Sequence, residues 1–359
     1  HPPPPPLSPP FHVRRPARRG RGWIVAAAVA LTLAVAGTLA YEIARFGLPS
    51  TGGADPTAEP DTRPPLTRTA AGEVITLPGT SVRITENDSD PLKLTSYTAD
   101  AGKRLYVRRA GGDAFVRDTR HFEYALRGDG VKALAVDADY GADGQATVSV
   151  VDHWTGAKRT VEVSRQPVFP TTPRWSPDGA YGLVTLYKGA AGNAVPHGFA
   201  VIDAERGTAR AHQVGEPGAG EWRFFWDAGG RAVGTWAGGR MTFYDLDGRL
   251  LRTLPAAGTP VWVEGENVAG GRFLAHCDAS GKTICVRSTS GGDAAPRVVP
   301  FAGDSLIGWW DDDHLAVWRP AGGGYQAVVI DLAGQVTRVL ATAADAAEFR
   351  RMSFRYSPS

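Results

Sequence analysis

The sequence predicts an all-β body of repeated four-stranded units, the arrangement of a β-propeller, and three observations carry that reading. After residue 73 no 3.6-residue amphipathic pattern of helical length occurs, while short alternating apolar runs between Gly, Asp and Pro turns continue to the end. An aromatic residue just ahead of a turn recurs at Tyr124, Trp175, Trp226, Trp262, Trp310 and Tyr356. These five steps cover 232 residues, a mean of about 46, which is the period of one blade.

Each aromatic mark ends a first strand. A second, apolar strand follows at ALAVDA (133–138), GLVTLY (182–187), AVGTWA (232–237), RFLAHC (272–277) and HLAVWR (314–319). The third strand ends in Asp152, Asp203, Asp245 or Asp331 with a Gly close behind, and in one copy in Ser288. An Asp there accepts backbone N–H groups two residues on and so shapes a turn. Fourth strands are RTVEV, TARAHQV, RLLRTL, RVVPF and VTRVL. Residues 92–119 read as the last three strands of a blade without its first, and the final MSFRYSPS reads as a first strand with nothing after it. Joining the two ends closes a ring. The body of about 286 residues is about 6.2 periods long, so six blades are expected, with five and seven as the neighbouring counts.

Ahead of this body the chain divides into a Pro/Arg-rich tail (1–22), an apolar segment (23–44) and a Gly/Pro/Thr-rich linker (45–72), with the propeller occupying 73–359. From Trp23 to Tyr41 there are 19 residues without a charge. As a helix they span about 28 Å, close to the hydrocarbon thickness of a bilayer. A single transmembrane helix is the expectation; the alternative is a signal peptide with a cleavage site near Thr38-Leu39-Ala40. Five Arg (14, 15, 18, 19 and 21) precede the helix, which puts the N-terminus in the cytoplasm and the propeller outside the cell membrane. The tail reads as a solvated, partly polyproline segment, or alternatively as a ligand for an aromatic-groove domain.

Charge excludes one class of partner. The chain has 39 Lys+Arg and 37 Asp+Glu; without the five tail arginines the balance is 34 against 37, or −3. Such a body lacks the positive field that neutralises phosphates, so no nucleic-acid partner is expected. The two cysteines, Cys277 and Cys285, flank a turn in FLAHCDASGKTICV, and a hairpin centred near Gly281 would set them facing each other as a disulfide. An oxidising compartment is where such a bond persists. A metal pair or two free thiols are the alternatives.

WSPDG at Trp175 to Gly179, with degenerate copies at Trp226, Trp310 and Tyr356, resembles the signature of TolB-type propellers, and the strand-ending Asp152, Asp203, Asp245 and Asp331 resemble WD40-type repeats. The resemblance covers most of residues 80–359. It implies a protein-binding role or a non-catalytic half of a larger enzyme.

No residue set points to catalysis, and no cofactor is expected. Asp311, Asp312, Asp313 and His314 are candidates for a divalent metal near a propeller axis, but they align with the SPDGA turn of another repeat. Glu86 to Asp90 has oxygen ligands without EF-hand spacing, Ser280 to Thr283 lacks the first Gly of a phosphate loop, and Arg127-Gly128-Asp129 reads as a turn. The body histidines are scattered. Trp222, Trp309 and Trp318 are candidates for a binding patch at a surface or the channel mouth, against a plain core role. The expected function is therefore a membrane-anchored, single-pass, extracytoplasmic β-propeller that binds an unknown protein or cell-envelope ligand. A propeller hydrolase or lactonase with a channel metal, or the sensor domain of a signalling receptor, are the alternatives.

Overall fold

A computed structural model describes residues 72–359 apart from 190–193, 215–222, 238, 256, 262, 266–267, 279, 292–294, 302 and 304. The tail, the apolar segment and the linker up to residue 71 lie outside the described residues, as do Trp222 and Trp262. Among the described residues no helix is long and apolar enough to cross a membrane.

The chain opens with a hairpin, β1 (Glu73–Thr76) and β2 (Val82–Glu86), followed by three strands, β3 (Leu92–Ala99), β4 (Arg104–Arg108) and β5 (Phe115–Asp118). Next come two four-stranded units: β6 (His121–Leu126), β7 (Lys132–Asp137), β8 (Gln145–Asp152) and β9 (Lys158–Arg165), then β10 (Val168–Trp175), β11 (Tyr181–Lys188), β12 (Val195–Asp203) and β13 (Thr208–Gln213). Two shorter units follow: β14 (Phe225–Trp226), β15 (Val233–Ala237), β16 (Arg240–Tyr244) and β17 (Leu250–Leu254), then β18 (Val268–Ala269), β19 (Arg272–His276), β20 (Thr283–Ser288) and β21 (Arg297–Pro300). The last unit is β22 (Ser305–Trp309), β23 (His314–Ala321), β24 (Gly324–Asp331) and β25 (Val336–Ala343). A single helical turn, α1 (Ala346–Phe349), leads to the final strand, β26 (Ser353–Pro358).

These strands form six antiparallel sheets, the six blades of a propeller. As the repeat arithmetic requires, the first blade is shared: β26 is its innermost strand, in the order β26-β3-β4-β5, with Tyr356 opposite Leu94 and Ser353 opposite Thr98. The Ser359 N–H also donates to Pro91 O at 3.1 Å. A second closure is not foreshadowed by the repeat. The β1–β2 hairpin joins the outer edge of the sixth blade, pairing Val82 with Ala343 and Ile84 with Ala341, so that sheet has six strands. The Arg338–Asp90 ion pair and a 2.7 Å bond from Ser81 N–H to the Glu348 carboxylate fasten it there.

Apolar side chains gather between neighbouring blades. The most populous cluster lies where the ring closes: Leu94, Tyr97 and Tyr356 of the first blade meet Trp318, Tyr325 and Ala327 of the sixth, with Phe349 of α1 wedged among them. Phe349 stacks on Tyr325 at 4.1 Å and lies 4.7 Å from Trp318. Asp345 caps α1 by accepting the Ala347 and Glu348 N–H groups, which holds that wedge in place. The other blade contacts have clusters of their own; between the second and third blades, for example, Leu134 and Val148 pack with Val184 and Ala200. Burying such faces against a neighbour is what a lone four-stranded sheet cannot do.

The third-strand aspartates act as expected. Asp152 accepts N–H bonds from Trp154 and Thr155, Asp203 from Glu205 and Arg206, Asp245 from Asp247 and Arg249, and Asp331 from Ala333 and Gln335, all at 2.8 to 3.1 Å. Gly207 (φ 66°) and Gly334 (φ 78°) close two of these turns in the left-handed region. Cys277 and Cys285 form a disulfide with a Cα–Cα distance of 4.9 Å. Its geometry differs in one respect from a facing pair: Cys285 is opposite Ala275, and Cys277 N–H donates to Thr283 O. The hairpin is therefore centred on Ser280 instead of Gly281, and the bridge runs diagonally.

Candidate functional site

The six blades turn their first strands toward a common axis, so these strands decide what lies in the channel. Three of them are bulged at a charged residue. In β6 the register shifts between His121 and Glu123, in β10 between Thr171 and Arg174, and in β26 between Arg355 and Tyr356. A bulge inserts an extra residue and re-aims a side chain. The β10 bulge also holds Thr172 at φ 54°, an uncommon conformation for a β-branched residue. In the fifth blade Glu264 and Gly265 are fixed differently, by N–H bonds of 3.0 and 2.7 Å to Leu306 O and Ile307 O of β22.

A cavity of about 640 Å³ opens where the first strands end. Its walls include Leu126, Trp175, Trp226, Val268, Trp309 and Tyr356, drawn from all six blades, and Arg174 and Arg355 also line it. A smaller space of about 60 Å³ is lined by Glu123, Arg223, Glu264 and the same Arg174 and Arg355. The two arginines thus stand between the mouth and the deeper channel. Arg174, only 5% exposed, donates through Nη1 to Gly265 O, and Arg355 Nη1 donates to Pro173 O at 3.0 Å. Glu123 accepts the Thr172 N–H.

Glu264 is the electrostatic exception. Burial pushes its carboxyl well above the usual range, and neither the 3.3 Å bond from Trp318 Nε1 nor the charge of Arg355 reverses this. At the rim, Asp129 is tied to Arg127 through two bonds of 2.9 and 2.5 Å, and that contact holds its carboxyl low. The Arg127 guanidinium in turn lies 5.5 Å from the Trp175 ring. Asp178 and Asp227 accept N–H groups of their own turns, from Ala180 and from Arg231 and Ala232.

The aromatic mark proves to be two structural positions. Trp175, Trp226 and Trp309 are the last residues of β10, β14 and β22, whereas in the second blade that place belongs to Leu126, and Tyr124 sits two residues earlier. Side chains two apart share a face of a strand, so either spacing serves the same interface. In the sixth blade Trp309, and not Trp310, is the equivalent residue, because Trp310 N–H already donates across the turn to His314 O. The indole N–H of Trp175 donates to Ala125 O at 2.9 Å and that of Trp226 to Arg174 O at 3.5 Å, so each ties its blade to the one before.

The acidic run expected as a metal candidate lies in a turn. Asp311 and His314 meet at 2.9 Å, Asp311 also accepts the Asp313 N–H, and Asp312 faces Arg272 at 3.5 Å, so the three aspartates lie in the turn between β22 and β23, His314 opens β23, and the four do not converge on one point. Burial raises the Asp311 carboxyl, but the bonds from Asp313 and His314 outweigh it and leave it below the usual range. Among the described residues, no group of three His, Cys, Asp or Glu is arranged to hold a metal ion. Glu86 pairs with Arg108 at 2.5 Å and Asp90 with Arg338, so that loop is structural. Trp318 is fully buried beside Phe349 and Phe354, a core residue that cannot contribute to a surface patch, while Trp309, 6% exposed, keeps contact with the mouth. Trp222 lies outside the described residues.

No protein-family model matches the chain. No curated protein sequence matches it either. Solved structures do. It is similar to TolB from Acinetobacter baumannii, at 13% identity over 76% of this chain and 67% of that one with a TM-score of 0.44. TolB proteins are among its structural neighbours. The putative TolB from Agrobacterium tumefaciens is 13% identical over 76% of this chain and 99% of its own, with a TM-score of 0.40. A functionally unknown protein from Desulfotomaculum acetoxidans is 10% identical over 69% of this chain and 79% of that one, with a TM-score of 0.44. The count of six blades rests on the strand pairing of the chain itself.

The residues that line the channel, Glu123, Arg174, Arg223, Glu264 and Arg355, are not among the candidates drawn from the sequence. A signal was present: Glu123, Arg174 and Arg355 each immediately precede an aromatic mark. A charged residue inside a first strand is expected to be expensive to bury unless it faces a channel.

Proposed function

We propose that the protein is a membrane-anchored, extracytoplasmic propeller that binds a protein or cell-envelope ligand at the channel mouth and performs no catalysis. One observation carries the binding role: the cavity of about 640 Å³ takes its lining from all six blades and is walled by three Trp and a Tyr. This volume falls in the range of about 300 to 1,000 Å³ usual for ligand sites, and aromatic walls with a few placed polar groups are their common composition. The non-catalytic reading is supported by what the nearby carboxylates already do, since Asp129, Asp178 and Asp227 hold turns and Glu264 favours its neutral form. Anchoring is supported by the uncharged run from Trp23 to Tyr41 with its five preceding arginines, and an oxidising location by the Cys277–Cys285 bond.

A photo-reactive amino acid placed at Leu126 or Ala228 on the mouth, and at Val298 on the outer strand β21, tests this on intact cells. Adducts formed only from the mouth positions are the expected result. Adducts from Val298 alone, or turnover of a small substrate by the purified chain, would overturn it. External protease added to spheroplasts is expected to remove the propeller while sparing the tail.

A further inference from the structure

We propose that the mouth is a pocket for a small uncharged molecule with an aromatic or aliphatic body, seated between Trp175, Trp226, Trp309 and Tyr356. This rests on reading the mouth as the binding site and adds the chemistry of what binds there.

The walls present carbon surface because the polar handles of the rings are used inside the protein. The indole N–H of Trp175 donates to Ala125 O and that of Trp226 to Arg174 O, so these two rings add apolar area to the cavity and no donor. Leu126 and Val268 extend the same surface.

Charges of both signs also line the mouth, and the protein itself anchors each of those named here. Arg127 bonds both carboxylate oxygens of Asp129 and lies 5.5 Å from the Trp175 ring. Asp178 accepts the Ser176 hydroxyl at 2.6 Å and the Ala180 N–H at 3.0 Å, and Asp227 accepts the Arg231 and Ala232 N–H groups at 2.9 Å. Arg174 of the third blade donates to Gly265 O of the fifth, and Arg355 of the first donates to Pro173 O of the third. Past these two arginines the space shrinks from about 640 to about 60 Å³. They act as a floor, which suits a whole small molecule better than a chain threaded along the axis.

A charge carried into such an enclosure gives up its hydration and regains it only from a partner. Here a ligand of either sign meets like and unlike charges together, all already engaged. A neutral apolar body gives up no ionic hydration and gains from burial against the rings. The cavity is of the size that encloses a drug-sized ligand.

Titration calorimetry on the full-length chain in lipid nanodiscs, with empty nanodiscs as the blank, would compare one aromatic body in three charge states: 1-naphthylacetamide, 1-naphthylacetate and 2-(1-naphthyl)ethylammonium. The amide is expected to bind at least about tenfold more tightly than either ion. Leu126 occupies the strand-end place that Trp175, Trp226 and Trp309 hold in other blades. Leu126→Trp therefore puts a familiar side chain there while filling part of the cavity, and should weaken the amide about tenfold or more. If Leu126→Trp does not fold, the charge series on the unaltered protein decides. Tighter binding of either ion, equal binding of all three, no binding by any probe, or amide binding unchanged in Leu126→Trp overturns the proposal. Tighter binding of the neutral peptide acetyl-Phe-Leu-amide also overturns it, by giving the pocket to a polypeptide. In each of these cases mouth-specific crosslinks on cells would leave the binding site standing, whereas crosslinks from the outer strand alone would remove both.

Discussion

Tyr356 lies directly opposite Leu94, so residues at the two extremes of the described chain share one sheet. Leu94 is fully buried and Tyr356 is 8% exposed, both within the cluster that joins the first and sixth blades. The ring therefore depends on a strand that belongs to no local hairpin, since among the described strands β26 pairs with β3 near the other end of the propeller.

Removing its packing should be costly. Phe354 of β26 lies 5.1 Å from Trp318 and 5.7 Å from Phe349. Phe354→Ala is expected to lower stability by about 3 to 5 kcal/mol. Deleting residues 352–359 should replace a single cooperative unfolding transition by a broad one, as followed by circular dichroism. An unchanged sharp transition in the deletion would refute the shared first blade.

The Glu264 carboxyl and the Trp318 indole, 3.3 Å apart, give a pH signature. A carboxyl whose folded pKa is raised keeps its proton where the unfolded chain has lost it, so its contribution is largest below about 4.5 and is lost as the pH rises through the folded value. Glu264→Gln, a neutral side chain of the same shape, should stabilise the protein at pH 7, because the variant has no proton to take up on folding. The same variant should be neutral at pH 4. Denaturant unfolding at both pH values measures the difference.

Asp118 works in the opposite direction. Burial pushes its carboxyl up, but a 2.8 Å bond with His121 and N–H bonds from Arg120 and His121 bring it down to about 2. A depressed carboxyl stabilises above its unfolded value and loses that contribution as the pH falls through its folded value. Stability should therefore drop by about 1 to 2 kcal/mol between pH 4 and pH 2, a figure reduced for solvent screening. Asp118→Asn should flatten that part of the profile; if the slope persists in the variant, another acid is responsible.

The bridge between β19 and β20 offers a test of both structure and compartment. Cys285 is buried, and the closed loop spans a sequence separation of 8. Replacing both cysteines by serine should cost roughly 2 to 3 kcal/mol by the loop-closure estimate. Protein isolated from cells under denaturing, non-reducing conditions should resist maleimide and become reactive after reduction. Free thiols in that sample would contradict the oxidising location.

Much of the architecture was legible because its signals are local and repeated. An aromatic residue, a turn, a buried strand and a turn-capping Asp recur at nearly even spacing, and the unpaired strand at each end of the series demanded closure. The β1–β2 hairpin was not legible, since EVIT and VRITE carry no repeat mark and the partner of VRITE, β25, is more than 250 residues away. The one-residue error at Trp310 has a similar origin: the turn after β22 is shorter than the one after β10, and only the cross-turn bond of Trp310 shows it. Trp318 was a weak choice for a patch because its strand alternates like any second strand, and burial there depends on α1, a single turn too short to leave a periodic trace. Glu123, Arg174 and Arg355 escaped notice because the bulges at their positions are registered by no spacing rule.

The hairpin on the sixth blade also decides how the domain bears load. A pull on residue 72 enters at Glu73, on the outermost strand of the six-stranded sheet, where among the described strands β1 pairs only with β2, through four residue pairs. Those pairs are the first in line for such a load, ahead of the closure at Tyr356 and Leu94. The hairpin is in effect a shock absorber, and the toroid behind it keeps its shape.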